Sequence, residues 1–173
     1  MAIVTTASAG VRAAERATIL QVRAPLSTTR AIEQEASALV ASSPLPVVVS
    51  SRCDIALACG AAGVNLPEND IPVAAARALM GERLVGRSVH SLESALRAEG
   101  EGADYVIFGP VWASASHPTS APAGIATLAE VARALRIPVL AIGGVTERRI
   151  AECHAAGAAG YAAIRLFTTG EFE

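Results

Sequence analysis

The sequence predicts a compact α/β fold, a single (β/α)8 TIM barrel spanning residues 1–173. Three observations predict it. Short apolar runs alternate with segments of helical spacing from one end of the chain to the other. No proline-, glycine- or charge-rich stretch separates two domains. A length of 173 residues suits one domain with a substantial core, although it is short for a barrel of this kind.

The elements follow in order as eight strands, each with a helix after it except the last. The predicted strands are Ala2–Thr5, Thr18–Val22, Pro46–Val49, Gly63–Leu66, Leu84–Val89, Tyr105–Phe108, Ile137–Ile142 and Tyr161–Ile164. The predicted helices are Val11–Arg16, Ser27–Ser42, Arg52–Cys59, Pro72–Met80, Leu92–Glu99, Ile125–Leu135 and Glu147–Ala156. The chain stops soon after the eighth strand, so we expect the last helix to be missing or very short. The apolar surface this leaves predicts a covering subunit, and hence a homo-oligomer.

Composition and charge exclude several classes of function. A net charge of −2 without a basic block argues against a nucleic-acid partner. No apolar run approaches the roughly 18 residues of a membrane span, which predicts no membrane partner. Three cysteines without a CxxC pair indicate reduced thiols and a cytoplasmic location. All 14 basic residues are arginines, which excludes Schiff-base chemistry but suits phosphate binding.

The seventh strand leads into the most informative turn of the chain. Ile137–Ile142 is wholly apolar, as in a strand buried on both faces, and Gly143-Gly144 ends it. Thr146 can cap the helix that follows. Glycines let an anion approach the backbone, and a helix N-terminus favours negative charge. We therefore predict a phosphate-binding turn, the alternative being an ordinary tight connection.

Polar residues follow the other strands at the end where barrel enzymes place their chemistry. Candidate substrate-binding residues at this rim are Gln21, Arg23, Arg52 and Ser88, with His90, Asp70 and Arg165 at further strand ends. A structural role remains open for several of them. Arg52 opens a helix, where a cation needs a partner, and Asp54 is the obvious one. Asp70 could cap the next helix, and His90 could bond a neighbouring loop.

Five phrases, in order, resemble the thiamine-phosphate synthase/TenI family, and the resemblance covers almost the whole chain. They are Gln21-Val22-Arg23, Arg52–Ala56, Gly86–Ser91, Gly102–Val106 with Phe108–Trp112, and Ile137–Val139 with Ile142–Gly144. The resemblance implies a cytosolic barrel of thiamine biosynthesis that binds a thiazole phosphate. In the synthases of this family, a pyrimidine pyrophosphate and Mg²⁺ bind as well.

The thiazole-phosphate site of the family is retained in large part. The resemblance assigns the phosphate to the backbone of Gly143 and Gly144 and to the hydroxyls of Ser114 and Ser116. Arg165 stands where the family has a serine, so it could clamp the phosphate or fill the site. An uncompensated cation beside Ile164 would be costly, which favours the clamp.

The pyrimidine-pyrophosphate site is less well matched. Gln21 and Arg23 remain, and Asp70 matches one Mg²⁺ carboxylate, but Ser50-Ser51 replaces the pair that carries the other. Pro25 and His117 stand in place of two lysines. Since Mg²⁺ and cations stabilise a leaving pyrophosphate, these losses favour the TenI branch over the synthases.

Three functions therefore stay open. The first is a thiazole tautomerase, which needs no cofactor but needs an acid/base group. The histidine of that branch is replaced by Pro110, so His117 or His90 would have to serve. The second is a thiamine-phosphate synthase with Mg²⁺. The third is a non-catalytic binder of a thiamine-pathway phosphate, with a regulatory or scaffolding role.

Overall fold

The computed structural model of the protein describes residues 1–113 and 121–168. Within them, parallel strands alternate with helices from the first residue to the last. The strands are β1 Ala2–Val4, β2 Leu20–Val22, β3 Val47–Ser50, β4 Gly63–Leu66, β5 Leu84–Val89, β6 Tyr105–Phe108, β7 Val139–Ile142 and β8 Gly160–Ala162. The helices are α1 Ala7–Ala13, α2 Thr29–Ser42, α3 Cys53–Ala58, α4 Val73–Met80, α5 Leu92–Gly100, α6 Gly124–Ala134, α7 Glu147–Ala155 and α8 Arg165–Thr168.

The sheet runs in sequence order and closes on itself. Each strand pairs in parallel with the next, from β1 to β8. At the seam, Ala2 bridges Ala163, and the Ile3 amide donates to the Ala163 carbonyl at 2.9 Å. The last helix, α8, has a single turn. These observations confirm the predicted barrel with a very short last helix; the predicted homo-oligomer stays a prediction.

Alternation along the strands creates two apolar layers. Outward-facing strand residues, such as Val22 and Phe108, form one layer with helix residues such as Leu39 of α2. Inward residues form a separate cluster of Met1, Ile3, Val48, Tyr105, Ile107 and Ala162. Tyr105 fills the interior because its neighbour is glycine: a Cβ on Gly86 would lie 2.1 Å from the Tyr105 ring. The interior is therefore packed rather than open.

A charged cluster stabilises the end of the barrel where the strands begin. Arg77 donates to the carbonyls of Gly81, Arg83 and Gly102 and to the carboxylate of Asp104. The same carboxylate accepts from the Val85 amide at 2.7 Å. Asp104 therefore serves stability at the end opposite the predicted site.

Some predicted boundaries and caps were wrong. Helix α1 begins at Ala7 rather than Val11, because Thr6 accepts a hydrogen bond from the Ala9 amide and caps it. Strand β8 ends at Ala162 rather than Ile164, because α8 starts at Arg165. Thr146 occupies the N-cap position of α7, but its side chain makes no capping bond. None of the described helices has the length and apolar content needed to cross a bilayer.

Candidate functional site

The carboxyl ends of the eight parallel strands meet at one rim, which carries the predicted phosphate-binding residues. Gly143-Gly144 follows β7, and Arg165 follows the neighbouring strand β8. Ile142 of β7 and Ala162 of β8 are register partners, so the glycine turn and Arg165 leave the sheet side by side. Arg165 is exposed and begins α8. Gly143, Gly144 and Arg165 therefore lie at the same edge of the barrel.

The Gly143-Gly144 turn needs glycine at both positions. Both have positive φ, +90° and +66°, which other residues rarely adopt. A Cβ on Gly143 would lie 2.6 Å from Pro110 Cα, and one on Gly144 would lie 2.7 Å from the Ala113 carbonyl oxygen. The turn is thus packed directly against the segment after β6. Both glycines are half-buried, so part of their backbone remains accessible at the rim.

Arg23 follows β2 on the other side of the seam between β8 and β1. Its backbone amide donates to the Val4 carbonyl at 2.8 Å, which fixes the residue at the rim. The side chain is half-buried, and among the described residues its guanidinium has no hydrogen-bond or ion-pair partner. A half-buried cation without a counter-charge is suited to an anionic ligand.

Amide side chains form a polar layer inside the barrel below this rim. Gln21 and Asn65 are 2% exposed and point inward. The Asn65 amide nitrogen donates to the Ser88 hydroxyl at 3.1 Å. The side-chain oxygens of Gln21 and Asn65 are buried without a partner in the described part of the chain. Two buried acceptors without donors are unusual in a folded protein and indicate that water or a ligand group completes them.

His90 connects three neighbouring strand ends. Its backbone amide donates to a Glu68 carboxylate oxygen at 3.1 Å, and its Nε2 lies 3.9 Å from the other oxygen. Its Nδ1 contacts the carbonyl of Gly109. Because a carbonyl oxygen can only accept, Nδ1 carries a proton in this contact. His90 therefore has the loop-bonding role that the sequence left open, with an exposed ring at the rim.

Arg52 is occupied by two neighbours. Its Nε and NH2 donate to the two carboxylate oxygens of Asp54, at 2.8 Å and 2.5 Å. Its NH1 donates to the Thr29 hydroxyl at 2.9 Å. The Arg52 hydrogen bond lowers the pKa of Asp54. These contacts already use the guanidinium. A role for Arg52 in substrate binding stays a prediction.

The predicted magnesium ligand, Asp70, lies in the loop after β4. One carboxylate oxygen accepts from the Ile71 amide at 2.7 Å, and Arg87 donates to the carbonyls of Asp70 and Ile71. Burial lowers the pKa of Arg87. No cluster of three metal-ligating side chains occurs among the described residues. The second carboxylate oxygen of Asp70 is not used in these contacts, and its role as a Mg²⁺ ligand stays a prediction.

Ser51, where the family resemblance places the other metal carboxylate, is strained. Its φ is +64°, the one positive value of a non-glycine residue in the described ranges. Such a conformation costs a side-chain-bearing residue about 1–2 kcal/mol. Its amide donates to the Asn65 carbonyl at 3.0 Å, which holds it there. The end of β3 is therefore constrained at the rim without supplying a carboxylate.

The remaining predicted residues, Ser114, Ser116 and His117, lie outside the described residues. The structure also shows contacts of Arg149, a residue that the sequence analysis did not consider. Arg149 of α7 donates to the Gly144 carbonyl at 2.7 Å, and its guanidinium lies 4.8 Å from the centre of the Trp112 ring. The contact with Trp112 joins segments that are distant in sequence, so no local pattern indicated it.

Comparisons with known proteins agree with this architecture. The family model described as "Thiamine monophosphate synthase" matches residues 3–167. A putative thiamine-phosphate synthase 2 of Aquifex aeolicus is 41% identical over 136 residues, which are 79% of this chain and 73% of that protein. A thiamine-phosphate synthase of Chloroflexus aurantiacus is 39% identical over 152 residues, 86% of this chain and 70% of its own. The solved thiamine phosphate pyrophosphorylase of Pyrococcus furiosus superposes with a TM-score of 0.87 at 29% identity, covering 98% of this chain and 87% of that one. The chain therefore belongs to the thiamine monophosphate synthase family.

Proposed function

We propose that the chain is a thiamine-phosphate synthase, which joins a pyrimidine carrying a diphosphate to a thiazole carrying a phosphate. The observation that carries the proposal is that two separate features suited to anions lie on one rim. One is the Gly143-Gly144 turn beside Arg165. The other is Arg23 after β2, which is half-buried and whose guanidinium has no partner among the described residues. The names of the relatives support this function over the tautomerase that the sequence analysis preferred.

The thiazole phosphate would bind at the glycine turn. Backbone N–H groups there, together with the N-terminus of α7, favour a phosphate dianion. Arg165 would clamp the same phosphate from the end of β8, and the resemblance to the family would add the hydroxyls of Ser114 and Ser116 to the site. This arrangement holds the thiazole by its phosphate and leaves the ring to face the barrel axis.

The pyrimidine diphosphate would bind across the seam, with the ring toward Gln21 and Ser88 and the diphosphate toward Arg23. Joining the two substrates would form a bond from the thiazole ring nitrogen, which supplies the electron pair, to the pyrimidine methylene carbon. The bond from that carbon to the diphosphate oxygen breaks, and its electron pair leaves with the diphosphate. Arg23 would stabilise the negative charge that develops there. A Mg²⁺ ion bound with the diphosphate would neutralise more of this charge, and Asp70 would hold it.

A proton shift on the thiazole ring is the second candidate, and the geometry of His90 favours it. The contact of Nδ1 with the Gly109 carbonyl leaves the lone pair of neutral histidine on Nε2, at an exposed ring near the Glu68 carboxylate. This tautomerase needs no metal. His117 remains the other candidate acid/base residue.

The test is a reaction of the purified protein with aminopyrimidine diphosphate, thiazole phosphate and Mg²⁺, followed by mass spectrometry and a diphosphate assay. We expect thiamine phosphate and diphosphate in equal amounts. Arg23→Gln should lower kcat/KM by about 10–100-fold, since a charged hydrogen bond is worth roughly 1.5–3 kcal/mol. Arg30→Gln, at an exposed position of α2, removes the same charge as a control and should have little effect.

Three outcomes would contradict the proposal. Isomerisation of the thiazole phosphate without pyrimidine would support the proton shift. Binding of the thiazole phosphate without turnover would support a non-catalytic binder. Equal losses in the Arg23 and Arg30 variants would show that Arg23 does not contact the diphosphate.

A further inference from the structure

The half-buried arginine of α7 stands in an unusual place. Arg149 is the third residue of this helix, where the dipole disfavours a cation. No carboxylate of the described residues lies within ion-pair distance of it. The cost of placing this cation in the first turn of α7 is offset by two other contacts, one with the Gly144 carbonyl and one with the face of Trp112. Both contacts belong to the rim where the phosphate site is proposed.

The segment after β6 and the glycine turn are joined by their backbones. The Val111 amide donates to the Ile142 carbonyl at 2.8 Å, and the Trp112 amide donates to the Gly143 carbonyl at 3.0 Å. The glycines leave no space between the two segments, since a Cβ on Gly144 would lie 2.7 Å from Trp112 Cβ. Each segment therefore fixes the position of the other.

Arg149 contacts both members of this pair at once. Its NH1 holds the peptide oxygen of Gly144, and its guanidinium covers the indole of Trp112. Because the peptide between Gly144 and Val145 is planar, the hydrogen bond to its oxygen also restrains the direction of the Val145 N–H group. The guanidinium also keeps its positive charge close to the turn, because no described carboxylate neutralises it.

We propose that Arg149 is a positioning residue for phosphate recognition, which orients the Gly143-Gly144 turn by holding the Gly144 carbonyl and packing on Trp112. This inference rests on the proposed function, because it assigns the phosphate of the substrate to that turn. It acts through the turn, so the effect should be confined to ligands that carry a phosphate. The same contact makes Trp112, the one tryptophan of the sequence, a reporter of the site.

The experiment compares Arg149→Gln and Arg149→Lys with the control Arg148→Gln, which removes the same charge from the neighbouring exposed position of α7. Affinities for the thiazole phosphate and for the corresponding thiazole alcohol are measured by calorimetry and Trp112 fluorescence. We expect Arg149→Gln to raise Kd for the phosphate at least tenfold, with the alcohol unchanged. Arg149→Lys should restore most of the affinity, since an ammonium can still donate to the carbonyl and lie on the indole.

A measurement without ligand separates this inference from the proposed function. Amide hydrogen exchange at Val111 and Trp112 should accelerate in Arg149→Gln and not in Arg148→Gln. If the wild-type protein binds no thiazole phosphate, the proposed function fails, and exchange alone then decides whether Arg149 orders the turn. Unchanged exchange, an affinity within twofold of wild type, or an equal loss in Arg148→Gln would overturn the inference.

Discussion

Replacing Gly144 by alanine tests the packing of the phosphate-binding turn. The new Cβ would enter a left-handed conformation, at a cost of about 1–2 kcal/mol. It would also lie 2.7 Å from the Ala113 carbonyl oxygen and from Trp112 Cβ. Overlap with a packed segment costs about 1–3 kcal/mol more. We therefore expect the free energy of unfolding to fall by about 2–5 kcal/mol.

Gly60→Ala is the matched control for the conformational part of this cost. Gly60 has a φ of +68°, close to the +66° of Gly144, but a Cβ there would meet nothing within 4 Å. It should lose only about 1–2 kcal/mol. Urea unfolding followed by circular dichroism measures both variants against wild type. Equal losses in the two variants would refute the argument that the turn is packed against the segment after β6.

Three further predictions concern other parts of the barrel. Arg77→Met should lower the free energy of unfolding by about 2–4 kcal/mol in urea unfolding, because several carbonyls and Asp104 lose their donor. The affinity for thiazole phosphate should stay unchanged. An unchanged free energy of unfolding would contradict the stabilising role of this cluster. Tyr105→Phe should raise the free energy of unfolding, measured by thermal denaturation, by about 1 kcal/mol, since the buried hydroxyl has no partner among the described residues. A fall of about 1 kcal/mol would show that the hydroxyl has a partner such as water. Asp54→Asn should cost less than about 1 kcal/mol, because the pair with Arg52 is exposed.

The effect of Asp54→Asn should also depend on pH in a defined direction. Arg52 lowers the pKa of Asp54 in the folded protein. A carboxyl group with a lowered pKa stabilises the fold above its unfolded pKa of about 4, and this stabilisation is lost as the pH falls through the folded value. Urea unfolding should therefore separate the variant from wild type at pH 7 and bring the two together in strong acid. A difference that persists at low pH would contradict this.

Much of the architecture could be predicted because the signals for it are local. A strand such as Tyr105–Phe108 is buried on both faces and appears in the sequence as an unbroken apolar run. The start of α1 was missed because Thr6, its cap, precedes a run of alanine, serine and glycine with no apolar periodicity. Caps are decided by one hydrogen bond, which periodicity does not report.

For the candidate site, too, the sequence predicted the features that depend on neighbouring residues of the chain. The sequence alone predicted Gly143-Gly144 as a turn with accessible backbone, because glycines between a buried strand and a helix let an anion approach the backbone, with an ordinary tight connection as the alternative. It also anticipated that Arg52 would need Asp54, since both lie within one turn of chain.

Only the tertiary structure decided which distant side chains meet. The contacts of Arg149 with Trp112 and of Asn65 with Ser88 join different strand–helix units. It also left the Arg23 guanidinium without a partner among the described residues. Such pairs depend on the closure of the barrel, which brings strand ends together through space, and no spacing along the chain encodes that distance.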